Sequence, residues 1–384
     1  MNKKYSVFIT VLFCVFIFGF GIFHFILPDR DFSEQENRYL AQFKAPTLDT
    51  VRSGKFMETF QDYISDQFPL RDRWIQLKAL SERALGKQEN NGVYFGTDGQ
   101  TLFAQYTAPD PDDLAARVGY VNELADNVDV PVYFSLVPDK SYVWADRLPA
   151  DAPYVDDGWT WADASAKLLN GRVHYIDLYA PSIWTGEQDG WTGMEPFYRT
   201  DHHWTTMGAY HAYFALATAM NGSAAVMNGE PTLVSDSFYG TTYSASGAGW
   251  IKPDEMYTWV PEGGENGQLL VYRYPEGEPV EGSLYDLSKL EVKDKYSMFL
   301  GGNQPLCFIY NPEGTGRLLV VRDSYSDSLA PFLALDYQEI HLFDLRYNNR
   351  SLKQYISDYH IDQVLVLYSA SNFSTDINLF KLKY

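Results

Sequence analysis

From Val7 to Leu27 the chain carries no Asp, Glu, Lys or Arg, a run of 21 residues. A helix of that length spans the roughly 30 Å hydrocarbon core of a bilayer. Lys3 and Lys4 precede the run, and Asp29, Arg30 and Asp31 beyond it bring no excess of positive charge. That asymmetry predicts a cytoplasmic N-terminus. A cleaved signal peptide is the rival reading, with a shorter apolar core and small residues at its exit. Phe23, His24, Phe25 and Ile26 occupy the exit here, so an uncleaved anchor is expected. Cys14 lies inside the run without the small residues that a lipoprotein signal places before it. Residues 1–28 are read as a cytoplasmic tip and transmembrane anchor, 29–50 as an extended linker, and 51–384 as the folded, extracytoplasmic part.

Periodicity outlines the rest. Phe56, Phe60, Tyr63, Ile64, Leu77 and Leu80 recur at helical spacing over 54–86, with a break at Pro69. Asn90–Phe103 reads as a hairpin turning at Asp98-Gly99. Leu114, Val118, Val121 and Leu124 mark one face of a helix from Asp112. The runs 130–138 and 172–179 read as strands and 205–220 as an Ala-rich helix. Residues 221–315, rich in Gly, Tyr, Glu and Pro with short alternating runs, read as a β-rich insertion. After it, strand 317–321, helix 329–335, strand 339–343, helix 352–359 and strand 363–369 alternate. This order predicts an α/β domain with a parallel sheet and helices on both faces.

Composition changes this picture little. The chain of 384 residues is 46% hydrophobic and 16% aromatic, which a packed core needs and a disordered chain lacks. Its formal net charge of −20 argues against nucleic acid as a partner. It also argues against a polybasic grip on anionic lipid. Two cysteines, one of them in the apolar run, exclude a disulfide framework.

Two fragments carry chemistry. Ser324 follows the apolar strand 317–321, at the carboxyl end where doubly wound sheets bind ligands. A serine there exposes its hydroxyl, and the helix after it offers N–H groups to a developing oxyanion. Asp323 and Ser324 also read as a simple helix cap. The second fragment is Tyr198–Tyr213, "YRTDHHWTTMGAYHAY". A nucleophilic serine needs a base, and the base an orienting carboxylate. Asp201 and His203, two apart at the mouth of a helix, suit both roles. A metal set of Asp201, His202, His203 and His211 is the weaker alternative, because no H-E-x-x-H spacing supports it. Neither a metal nor a cofactor is expected.

The segment "TDHHWT", Thr200–Thr205, resembles the signature of the DHHW proteins, relatives of the SGNH-hydrolase-like alginate O-acetyltransferases AlgX and AlgJ. "SEQENRYLA", "YISDQFPLRD", "NGVYFGTDG" and "FDLRY" resemble the same group. The resemblance implies a three-layer SGNH-like domain, with Asp201 and His203 as its D-x-H pair and Ser324 as its nucleophile. It departs at Arg322, where the SGNH block has glycine, and the blocks that supply the oxyanion site have no clear counterpart. Arg322, Arg346, Tyr347 and Asn372 are candidates for holding substrate or oxyanion. The implied function is extracytoplasmic O-acyl transfer, most readily O-acetylation of a cell-surface or secreted polysaccharide. Its alternatives are a carbohydrate esterase and a non-catalytic polysaccharide-binding or assembly scaffold. The implied partners are the polysaccharide acceptor and a membrane-bound O-acyltransferase that delivers the acyl group. The insertion's Trp250, Trp259, Tyr239, Tyr243 and Tyr257 are expected to face the acceptor.

Overall fold

The computed structural model describes residues 3–152, 158–187, 190–191, 193–261, 269–275 and 277–384. The chain forms two compact units, one of Met1–Asn91 with Tyr243–Trp250, the other of Gly92–Thr242 with Ile251–Tyr384.

The larger unit is built on eight strands. In chain order these are β1 Val132–Val137, β2 Val173–Tyr175, β3 Leu270–Arg273, β4 Val280–Gly282, β5 Leu306–Tyr310, β6 Arg317–Arg322, β7 Glu339–Phe343 and β8 Gln363–Ser369. They lie side by side in the order β4-β3-β5-β7-β6-β8-β1-β2. From β7 to β2 every pairing is parallel. From β4 to β7 every pairing is antiparallel. The sheet is therefore mixed and not simply parallel. The added strands come from the 221–315 stretch, whose short alternating runs pair as neighbours without a crossover helix. Residues 262–268 and Glu276 of that stretch lie outside the described residues.

Alternation along the central strands makes the third layer. Leu318 and Val320 of β6 join one apolar cluster with the helices Thr206–Asn221 and Tyr325–Leu333. Leu319 and Val321 face the opposite cluster with Pro111–Asn127 and Leu352–Asp358. Successive side chains of a strand point to opposite faces, so a strand apolar at every position must be covered on both. The expected hairpin is present as Val93–Phe95 paired with Leu102–Ala104, and Asp98 accepts from the Gln100 and Thr101 amides at its turn.

In the smaller unit, Lys3–Ile26 is a helix long and apolar enough to cross a membrane. Helices Lys55–Asp66 and Arg71–Ala84 flank the break at Pro69. The 29–50 stretch, expected as a linker, holds a strand pair, Phe32–Ser33 with Arg38–Tyr39, and begins a short helix at Leu48. It is tied down at Asp66, which accepts from Arg38 at 2.8 and 2.5 Å and from the Ala41 amide at 2.8 Å. Charge-assisted, two-pronged pairs of this kind fix geometry.

Candidate active site

The carboxyl ends of the parallel strands converge on one edge. β6 ends at Arg322, and Ser324 stands immediately before the helix Tyr325–Leu333. β8 ends at Ser369, whose amide and hydroxyl both donate to Asp323 Oδ2, at 2.8 and 2.9 Å. Lys140 follows β1, and Asp344 follows β7.

The loop before helix Thr206–Asn221 reaches the same edge. It is closed by a bridge between Phe197 and Trp204 and by the Tyr198 amide donating to the His203 carbonyl at 3.1 Å. The Trp204 indole N–H donates to the Tyr325 carbonyl at 3.0 Å and to Ser328 Oγ at 2.7 Å. One side chain of the loop thereby anchors the helix that begins at Ser324. Lys140, fully buried, donates from Nζ to the carbonyls of Tyr198, Arg199 and Asp201 at 3.0, 3.1 and 2.6 Å. Three donors meet three acceptors. Burial pushes the Lys140 pKa down to about 8, against the pull of nearby carboxylates.

Within this frame three side chains form a line. His203 Nδ1 lies 2.6 Å from Asp201 Oδ1, and His203 Nε2 lies 2.7 Å from Ser324 Oγ. A carboxylate only accepts, so Nδ1 carries the hydrogen and Nε2 presents its lone pair to the serine hydroxyl. Asp201 also accepts from the His203 amide at 3.0 Å, the Thr241 amide at 2.7 Å and Thr241 Oγ1 at 2.9 Å. Those four bonds fill the carboxylate's acceptor positions. The cation set Asp201, His202 and His203, whose ligand atoms lie within 4.8 Å of one another, thus has its oxygen atoms already engaged. His211 is not one of that group. Burial works against the charge on Asp201. The imidazoles of His202 and His203 and the hydrogen bonds from His203 outweigh it and hold the carboxyl well below its usual range. A Cβ at Gly240 would sit 2.3 Å from that carboxylate, so only glycine leaves room for it.

Both faces of the His203 ring are covered. The Tyr296 ring stacks at 3.7 Å and 10°, and the His202 ring lies at 3.8 Å and 37°. Two rings this close cannot share one face. Tyr296 is held in turn by hydrogen bonds from its hydroxyl to the Ser324 carbonyl, 3.3 Å, and with Ser328 Oγ, 3.0 Å.

Comparison with known proteins bears on the fold and the family likeness. A family model described as DHHW protein matches residues 193–343. A second, described as SGNH hydrolase-like domain, acetyltransferase AlgX, matches 95–241. The chain is similar to the DHHW proteins. A DHHW family protein from Eubacterium siraeum superposes with a TM-score of 0.63 at 22% identity, covering 77% of this chain and 96% of its own. Bacillus cereus PatB1, solved with a sulfonyl adduct, superposes with a TM-score of 0.60 at 21% identity, covering 75% and 97%. These likenesses establish the SGNH-like fold. A protein of Pseudomonas syringae pv. tomato named "Probable alginate O-acetylase AlgJ" is 26% identical over 202 residues, 50% of each chain. Its namesake in Pseudomonas putida is 25% identical over 201 residues. The chain spans about half the length of the curated relatives it matches.

The remaining candidates of this DHHW-like chain fall behind or beside Ser324. Arg322 is wholly buried and ion-paired to Asp327 at 2.8 Å, and its Nη1 also donates to Asn303 Oδ1 and to the Asp323 carbonyl, both at 3.3 Å. Burial pushes Asp327 up to about 6, and the facing guanidinium restrains it. Arg346 is paired to Asp344 at 2.6 Å, and Tyr347 lies under its guanidinium at 5.4 Å and is exposed. Asn372 donates to Asp323 Oδ2 at 2.8 Å. The helix N-terminus offers less than expected. The Tyr325 amide donates to Asp323 Oδ1 at 3.1 Å, and those of Ser326 and Asp327 to the carbonyls of Asp323 and Ser324. Nor is Trp259 a platform for sugar, since it is buried against Trp191, Tyr210 and Phe332.

Sequence reasoning missed Thr241, Tyr296 and Asn303, all from the 221–315 stretch. Asn303 Oδ1 accepts from Arg322 at 3.3 Å and Arg346 at 3.2 Å. No local pattern marks these three. Only the fold brings them to the D-x-H loop and the Ser324 strand.

Proposed function

We propose that the chain is an extracytoplasmic O-acyltransferase that moves an acetyl group onto a polysaccharide hydroxyl by a Ser-His-Asp mechanism. What supports this most is the unbroken line Asp201–His203–Ser324, with hydrogen bonds of 2.6 and 2.7 Å and the imidazole fixed on both faces. Ser324 Oγ attacks the carbonyl carbon of the acyl donor while His203 Nε2 takes its proton. The leaving group receives that proton, and the acyl group stays on Ser324. An acceptor hydroxyl then attacks the acyl-serine and loses its proton to His203. As the ester forms on the acceptor, the proton returns to Ser324 Oγ. Asp201, ionised at neutral pH, stabilises the imidazolium formed in each half. For the oxyanion we assign two donors. One is the Ser324 amide, because the next three amides are engaged. The other is the NH2 end of Asn303, whose oxygen is turned to two arginines.

The relatives named alginate O-acetylase support a polysaccharide as acceptor. The apolar N-terminal helix supports a membrane anchor, with the catalytic part outside the cytoplasm. Activated acyl thioesters are made in the cytoplasm, and a helix without a charged residue from Val7 to Ile26 offers an acyl group no path across. A multi-spanning O-acyltransferase partner would supply it. Ser324→Ala and His203→Ala are each expected to lower acetate release from nitrophenyl acetate by on the order of a million-fold. Full activity in Ser324→Ala contradicts the serine mechanism.

A further inference from the structure

His202 gives its motif half its histidines, yet the mechanism above does not use it. Asp201, His203 and Ser324 are 2%, 6% and 8% exposed, whereas the His202 side chain keeps 37% of its surface in solvent. It is held from three sides. Its ring lies on His203 at 3.8 Å, its carbonyl accepts from the Tyr325 hydroxyl at 2.5 Å, and its Nδ1 lies 2.8 Å from Thr241 Oγ1.

The network fixes the tautomer. Thr241 Oγ1 donates its only hydrogen to Asp201 Oδ2, so it accepts from His202, and Nδ1 of His202 carries the hydrogen. Loss of solvation on the face packed against His203, and that neighbouring imidazole itself, hold His202 below the ordinary histidine range, so the ring is neutral at pH 7 although its outer edge keeps solvent. Its Nε2 is then a bare lone pair, and among the described residues nothing donates to it. Its direction follows as well. The Nδ1 atoms of His203 and His202 lie 2.6 and 3.5 Å from the same Asp201 oxygen. Both Nε2 atoms therefore face away from Asp201, and that of His203 meets Ser324 there.

From this geometry we infer that His202 seats the acceptor, its Nε2 accepting a hydrogen bond from a hydroxyl adjacent to the one that His203 deprotonates. The inference rests on the acyl-transfer reading above and adds a substrate class to it: acceptors with vicinal hydroxyls. An acyl ester carries only acceptor oxygens at its reacting end and has nothing to offer a lone pair. A sugar has neighbouring O–H groups, one to attack and one to be held. Two imidazoles packed at 3.8 Å with lone pairs on the same side suit such a pair of hydroxyls. Water and simple alcohols fill one position only.

The test is an internal competition with nitrophenyl acetate as donor. Full-length protein is given an equimolar mixture of cis-1,2-cyclohexanediol and cyclohexanol, and the two acetate esters are quantified. The readout is their ratio, which is insensitive to any general loss of rate when the ring next to His203 is altered. The wild type is expected to favour the diol by roughly 3- to 10-fold per hydroxyl, the effect of one hydrogen bond. His202→Ala, and His202→Phe, which keeps a ring on His203 but no lone pair, are expected to bring the ratio close to one. A wild type without diol preference, or variants that retain it, would overturn the inference. Ester formation that persists in Ser324→Ala would instead mark failure of the underlying serine reading.

Discussion

Thr241→Val isolates the hydroxyl that steadies the base's carboxylate. Valine keeps the branched shape of threonine and the backbone amide that donates to Asp201 Oδ2 at 2.7 Å, but removes the hydroxyl donor at 2.9 Å. A hydrogen bond to a charged group contributes about 1.5–3 kcal/mol. Oδ2 keeps one of its two donors, so the lower end applies. A loss of about 1.5 kcal/mol in holding Asp201 against the imidazolium corresponds to roughly tenfold in rate. The half-exposed His202 loses its acceptor as well, and water replaces it there. Steady-state release of nitrophenol should therefore show kcat reduced roughly tenfold, with KM for the ester changed less than about twofold, because Thr241 touches no donor atom. Thr241→Ser, which restores the hydroxyl, should recover most of the rate. Wild-type kcat in Thr241→Val would show that the hydroxyl does not steady Asp201. A loss as deep as that of His203→Ala would contradict the steadying role too, since it would mean that the site had collapsed.

Three further outcomes follow from the same frame. Lys140 matches three carbonyls only while protonated, and its pKa is about 8, so activity should fall reversibly as pH rises through that value. A profile flat to about pH 9.5 contradicts this role. Arg322→Met and Asp327→Leu should each destabilise the fold by about 3–5 kcal/mol in denaturant unfolding, because each strands a buried charge, and the double variant should recover much of the loss. Additive losses would show that the pair is not coupled. Protease added to intact cells should digest residues 30–384 and spare the N-terminus, and protection of the whole chain would overturn the orientation.

The parts legible in the sequence were those written locally. β6 announces itself by five consecutive positions from Arg317 to Val321 that are almost all apolar, and Ser324 by its place just beyond them. The D-x-H pair is readable because two residues apart at a helix mouth is already a geometric statement. The rest depends on tertiary convergence. Thr241 and Tyr296 lie 40 and 93 positions from Asp201 and His203, in a stretch whose weak periodicity names no partner. The same weakness hid that this stretch extends the sheet with β3, β4 and β5. Of the two readings of Asp323 and Ser324, the cap holds for Asp323. An aspartate just before a helix competes for its first free amides, and Asp323 does so at Tyr325. Arg322 was open in a different way: whether an arginine beside the nucleophile blocks or spares the site depends on Asp327, five residues on and one helical turn inward.

In the mechanism proposed, Ser324 carries the acyl group between donor and acceptor. The most direct measurement is peptide mass spectrometry of the full-length protein, acid-quenched during turnover of nitrophenyl acetate without added alcohol. One acetyl increment is expected on the peptide containing Ser324, lost when an acceptor diol is added before the quench and absent from Ser324→Ala. Acetyl on a different residue, or undiminished turnover in Ser324→Ala with no labelled peptide, would contradict it.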